Sequence, residues 1–178
     1  LFVAGSIGPT GMLPASMEPG LCEITFAELA ETFREQTVGL LEGGVDLIII
    51  ETAQDILEVK AAIFGARQAM KESGRKVPIQ TSITLLPNGG KMLLGTDVDS
   101  ALTTLEALKV DVIGLNCSTG PNDMRDAIRF LGENSPMPVH CIPNAGLPIQ
   151  GDDGETIFPE KPGPLAESLG EFIEQYGV

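Results

Sequence analysis

Polar side chains with useful chemistry fall where apolar runs stop. Glu51 closes Leu47-Ile48-Ile49-Ile50. A carboxylate flush with such a run is costly to bury unless a cation meets it. It therefore reads as an acceptor for a positively charged ligand, with a helix cap or surface charge as the plain alternative. Asn116 and Cys117 close Gly114-Leu115, and Asn144 follows Ile142-Pro143. Each Asn reads either as a hydrogen-bonding side chain or as a turn former with positive φ. Cys117 alone reads as a small core residue, the commonest state of a free Cys, or as part of a metal set with His140 and Cys141. Neighbours on a strand point to opposite faces, so only one of His140 and Cys141 can share a face with Cys117, and Cys141 is assigned to the core. Cys22 reads as an ordinary loop cysteine. Ser6 lies in Gly5-Ser6-Ile7-Gly8-Pro9-Thr10-Gly11, which fits neither a dinucleotide fingerprint nor a P-loop, so phosphate binding is not expected there.

These residues sit on a regular alternation. Short aliphatic runs occupy 1–7, 45–50, 77–85, 110–115 and 138–142, and longer amphipathic stretches occupy 26–42, 56–72, 98–108, 122–131 and 165–176. Near-continuous apolar runs suit parallel strands buried on both faces. Thr25-x-x-Glu28 and Asp55-x-x-Glu58 mark helix starts. Pro121 and Pro164 suit first helical positions; Gly43-Gly44, Gly74 and Gly132 suit helix ends. The β-α alternation predicts a parallel sheet with right-handed crossovers, either an open doubly wound sheet or part of an eight-unit barrel. In both, the site lies at the carboxyl ends of the strands, where Ser6, Glu51, Asn116, Cys117 and Asn144 fall. The long loop at 143–163 is Gly-, Pro- and Asp-rich, and such loops are usually functional.

Composition sets outer limits. The 178 residues suit one domain, and 25 acidic against 11 basic side chains give a net charge of −14. A surface this negative disfavours nucleic acid and anionic membranes. No apolar run approaches the roughly 20 residues of a membrane span. Three widely spaced cysteines argue against a disulfide framework and for a reducing, cytoplasmic setting. The opening Leu1-Phe2-Val3-Ala4-Gly5 reads as a buried strand with no initiator Met, so the chain is expected to be cut from a longer protein.

Four segments in order carry a family likeness: Gly5-Ser6-Ile7-Gly8-Pro9-Thr10-Gly11, Gly43-Gly44-Val45-Asp46 through Glu51-Thr52, Gly114-Leu115-Asn116-Cys117-Ser118-Thr119-Gly120, and Pro143-Asn144-Ala145-Gly146-Leu147-Pro148. Together they resemble the homocysteine S-methyltransferase family, most nearly its cobalamin-dependent branch. The resemblance spans nearly the whole chain. It implies an α/β fold, an incomplete (β/α)8 TIM barrel of about five βα units (strands three to seven), with 1–178 a partial barrel domain truncated at both ends. It implies zinc-dependent methyl transfer to the thiol of homocysteine, forming methionine, with methylcobalamin as donor and cobalamin and folate domains elsewhere in the parent chain. By resemblance Cys117 is one of three thiolate zinc ligands; the other two form an adjacent Cys-Cys pair that this sequence lacks. Glu51 meets the substrate ammonium, and Asn116, Asn144 and Ser6 orient the amino-acid head or the ligand shell. Two other readings are another barrel enzyme, such as a pterin-binding or aldolase-type protein, and a fragment that is non-catalytic by itself. The former predicts a rim lysine or phosphate loop, yet Lys60, Lys76 and Lys109 fall in helices or before strands.

Overall fold

A computed structural model of the chain describes residues 1–18, 20, 24–87 and 90–178. Cys22 lies outside the described residues. Strands and helices alternate as β1 (Ala4–Ile7), α1 (Phe26–Glu42), β2 (Leu47–Ala53), α2 (Ile56–Ser73), β3 (Ile79–Ile83), α3 (Val98–Ala107), β4 (Val112–Asn116), α4 (Pro121–Asn134), β5 (Val139–Ile142) and α5 (Pro162–Tyr176). The loop before α5 carries a small antiparallel hairpin, β6 (Ile149–Gln150) and β7 (Thr156–Ile157).

The main sheet is wholly parallel, in the order β1-β2-β3-β4-β5. This order decides between the two architectures. A doubly wound sheet reverses its strand order at a switch point. Here each strand pairs with the next in sequence, so successive right-handed crossovers carry every helix to the same face. The sheet is an open arc of a barrel wall.

Burial follows from that one-sided cover. Gly5, Ile7, Ile48, Ile50, Ile79, Ile83, Ile113 and Leu115 face the helices and are buried with Leu29, Phe33, Ile63 and Leu105. Leu47, Ile49 and Val112 alternate with them on the opposite face and are only half-buried. The expectation of strands buried on both faces is thus corrected: the arc is unclosed, and its concave face stays open. Leu1, Phe2 and Val3 are likewise exposed rather than buried, because β1 is an edge strand with one neighbour.

Local chemistry fixes the elements. Thr25 and Glu28 form a reciprocal capping box. Asp55 and Asp97 cap α2 and α3 through Leu57 N and Ser100 N. Asp46 and Asp111 precede β2 and β4 and play equivalent parts there. Each carboxylate accepts from a backbone amide of the preceding strand segment, Val3 N and Ile79 N respectively. Gly74 takes the left-handed cap conformation at φ 71°. Two helix-end expectations are corrected. α5 begins at Pro162, ahead of Pro164. Gly132 lies inside α4, where a Cβ would come within 2.4 Å of Tyr176 O, so it is a contact glycine between α4 and α5. Arg125 completes that contact, pairing with Glu171 at 2.8 Å and lying over the Phe172 ring.

Candidate functional site

The carboxyl end of β4 carries a side-chain hydrogen-bond network centred on Asn116. Asn116 is its last residue and is buried. Its Oδ1 accepts from Thr52 N at 2.9 Å and from Ser82 Oγ at 2.7 Å. Its Nδ2 donates to Thr52 Oγ1 at 2.8 Å and to Cys117 Sγ at 3.1 Å. Thr84 Oγ1 donates to the Asn116 carbonyl at 3.0 Å. One amide therefore spans β3 and ties the end of β2 to the end of β4.

That tie explains an irregular backbone. Thr52 has φ 55°, and β2 slips register between Ile50 and Ala53. A bulge of this kind re-aims neighbouring side chains. Cys117 and Ser118 follow with φ 59° and φ 62°. Left-handed conformations in non-glycine residues cost of order 1–3 kcal/mol each and gather at functional sites. Here the turn is held by Cys117 N donating to Ile142 O, Thr119 N to Cys117 O and Asn144 N to Thr119 O. Gly120 and Gly146 allow the loops after β4 and β5 to touch: a Cβ on Gly120 would lie 3.1 Å from Gly146 Cα.

Glu51 shares the concave face. Ser6 Oγ, on the adjoining β1, donates to Glu51 Oε1. Glu51 is half-buried, and among the described residues no cation pairs with it. Asn144 is half-buried on the loop after β5; its backbone is bonded to Thr119 O, while its side-chain amide has no protein partner among the described residues. Neither Asn116 nor Asn144 has positive φ, so the turn-former alternative is excluded for both.

The His140–Cys141 register is as expected. Cys141 pairs beside Leu115 on the helix-facing side, and its thiol touches Met124 Sδ at 3.8 Å. Burial pushes that thiol up to about 12, so it stays protonated. His140 lies on the concave face, its ring over Gly114 and its Nε2 3.3 Å from Thr81 O. Burial lowers its pKa, with the Thr81 carbonyl opposing weakly. Among the described residues, no three His, Cys, Asp or Glu side chains converge to hold a metal. Among the described residues, Cys117 is the thiol at the rim, and no complete three-ligand site is formed.

The sequence assigns no role at the site to Thr52, Ser82, Thr10 or Glu58. The only available signal for Glu58 was its place in Asp55-x-x-Glu58, which reads as a cap. In the structure its carboxylate instead accepts from Thr10 N and Thr10 Oγ1 at 2.8 Å and 2.6 Å.

The arc, with its polar carboxyl-end rim and a Gly-Leu-Asn-Cys strand end, meets its counterpart among known proteins. The profile described as Homocysteine S-methyltransferase matches residues 1–178. The chain belongs to the homocysteine S-methyltransferase family. It is 42% identical over 177 residues to methionine synthase of Mycobacterium tuberculosis and 40% identical to methionine synthase of Mycobacterium leprae. Each alignment covers 99% of this chain, and the chain spans 14% of the length of each of these relatives. The crystal structure of the homocysteine methyltransferase MmuM from Escherichia coli, in its apo form, superposes with a TM-score of 0.63 at 23% identity. That match covers 81% of this chain and 49% of that one. It shows the fold: this homocysteine S-methyltransferase family chain is an unclosed (β/α)8-type barrel segment.

Proposed function

We propose that this chain is the part of a longer methionine-forming enzyme that binds homocysteine and supplies one ligand to a catalytic zinc. The observation that carries this reading is the Asn116 amide, which joins Thr52, next to Glu51, to Cys117. An acceptor for an ammonium group and a sulfur ligand are thereby held at fixed positions on one rim. Homocysteine has the matching pair of ends.

Each residue has a task in this reading. Glu51, oriented by Ser6 Oγ, accepts the substrate ammonium, which offsets the cost of holding an unpaired carboxylate at the end of an aliphatic strand. Asn144 presents a free amide to the amino-acid carboxylate. Asn116 donates to the Cys117 sulfur, the kind of outer hydrogen bond that fixes a metal ligand's direction. Catalytic zinc usually has three protein ligands and an open position, so two further thiolates come from outside the described residues. When bound, zinc supplies the Lewis acidity that makes a thiol a thiolate at neutral pH. Methylcobalamin is the proposed methyl donor, delivered by another domain of the parent chain, and folate domains are its proposed neighbours. The proposed setting is cytoplasmic, in keeping with three widely spaced cysteines.

The test is kinetic and uses the full-length enzyme. Glu51→Ala raises the KM for homocysteine by about tenfold or more and leaves the methyl donor's KM in place. An unchanged homocysteine KM contradicts the assignment. Cys117→Ala abolishes methyl transfer, and retained turnover contradicts its role.

A further inference from the structure

Glu58 is a buried acid, 3% exposed, in the first turn of α2. The Asp55-x-x-Glu58 spacing would let it return to the helix cap, but it turns away. One oxygen takes both donors of Thr10. The other, Oε2, is buried with no protein partner among the described residues. A cavity of about 10 Å³, room for about one water, is lined by Gly8, Pro9, Glu51 and Glu58 among others. Glu58 and the proposed substrate acceptor Glu51 thus line one cavity.

The segment it grips needs the hold. Residues 8–11 leave the edge strand β1 after its last residue, Ile7, which follows Ser6. Gly8 and Gly11 have open space where a Cβ would be, so they pack against nothing there. Farther on, Asp55 Oδ2 holds the same loop at Ala15 N, at 3.1 Å. Of these two fasteners, Glu58 is the one that shares a cavity with Glu51 and grips the chain four residues after Ser6.

Resting on the homocysteine reading above, we infer that Glu58 is a positioning residue: by pinning Thr10 and backing Glu51, it fixes the Ser6–Glu51 pair for the substrate ammonium. A negative group is also favoured at a helix N-terminus, and among the described residues no cation pairs with this acid.

The full-length enzyme provides the test, with Asp55→Ala as the control for a fastener of the same loop that does not reach the pair. Glu58→Ala raises the homocysteine KM about tenfold while kcat changes far less. It also speeds amide hydrogen exchange in residues 6–11. Glu58→Gln keeps an oxygen for both Thr10 donors and restores most of the affinity. Asp55→Ala lowers Tm without moving that KM. Thr10→Val removes one of the two bonds in an exposed segment and shifts KM in the same direction by about two- to threefold, independently of whether Glu58→Ala folds. A Glu58→Ala KM no higher than that of Asp55→Ala, or no rescue by Gln, overturns the inference. A wild-type enzyme that does not bind homocysteine overturns the functional reading instead, and is seen before any variant is compared.

Discussion

Four hydrogen bonds converge on the Asn116 side chain, from Thr52 N and Ser82 Oγ and to Thr52 Oγ1 and Cys117 Sγ. Truncation strands buried donors, and each stranded group costs about 1–3 kcal/mol. Asn116→Ala is therefore expected to lower unfolding stability by about 2–4 kcal/mol, measured by urea denaturation; a loss under about 0.5 kcal/mol contradicts the network. The residue's position at the strand end was legible from the sequence, since Gly114-Leu115-Asn116 stops an apolar run. Its partners were not: Thr52 and Ser82 lie 64 and 34 residues away, and no local pattern encodes such a pairing. Glu58 was hidden for a related reason. Its spacing fits a cap, and only the folded loop brings Thr10 to it.

Among the elements, the closest helix contact is α1 on α2. A Cβ on Gly65 would lie 2.3 Å from Ala30 O and 2.8 Å from Arg34 N. Backbone on both sides leaves nothing flexible to yield. Gly65→Ala gains helix propensity of about 1 kcal/mol but is expected to be destabilising by about 1–3 kcal/mol from overpacking. A raised thermal midpoint contradicts that packing. Helix and strand order was readable because periodicity changes between the two kinds of segment, and because Thr25, Asp55 and Pro121 mark starts. Gly132 was misread as a terminus: a glycine's close contact with another helix leaves the same mark in sequence as a cap. The β6–β7 hairpin escaped detection because two-residue strands carry no periodic signal.

At the scale of the whole molecule, β1 and β5 each lack one sheet neighbour among the described residues. Open edges of parallel strands are templates for further pairing. The 178-residue chain expressed by itself is expected to self-associate with rising concentration, despite its charge of −14, and to show no methyl transfer. A monodisperse, active preparation contradicts this. The arc was legible from β-α alternation, and its single-sided winding became certain only from strand order. The site was half legible, since a strand-end thiol and acid are visible in sequence while their coupling through one amide is not. In the function proposed above, Cys117, held by Asn116, is one thiolate of a zinc centre completed elsewhere in the enzyme. Zinc analysis with X-ray absorption on the full-length protein and its Cys117→Ala variant tests it most directly. The wild type is expected to hold about one zinc per chain on three sulfur ligands, and the variant to lose that zinc. A normal zinc content in Cys117→Ala would contradict it.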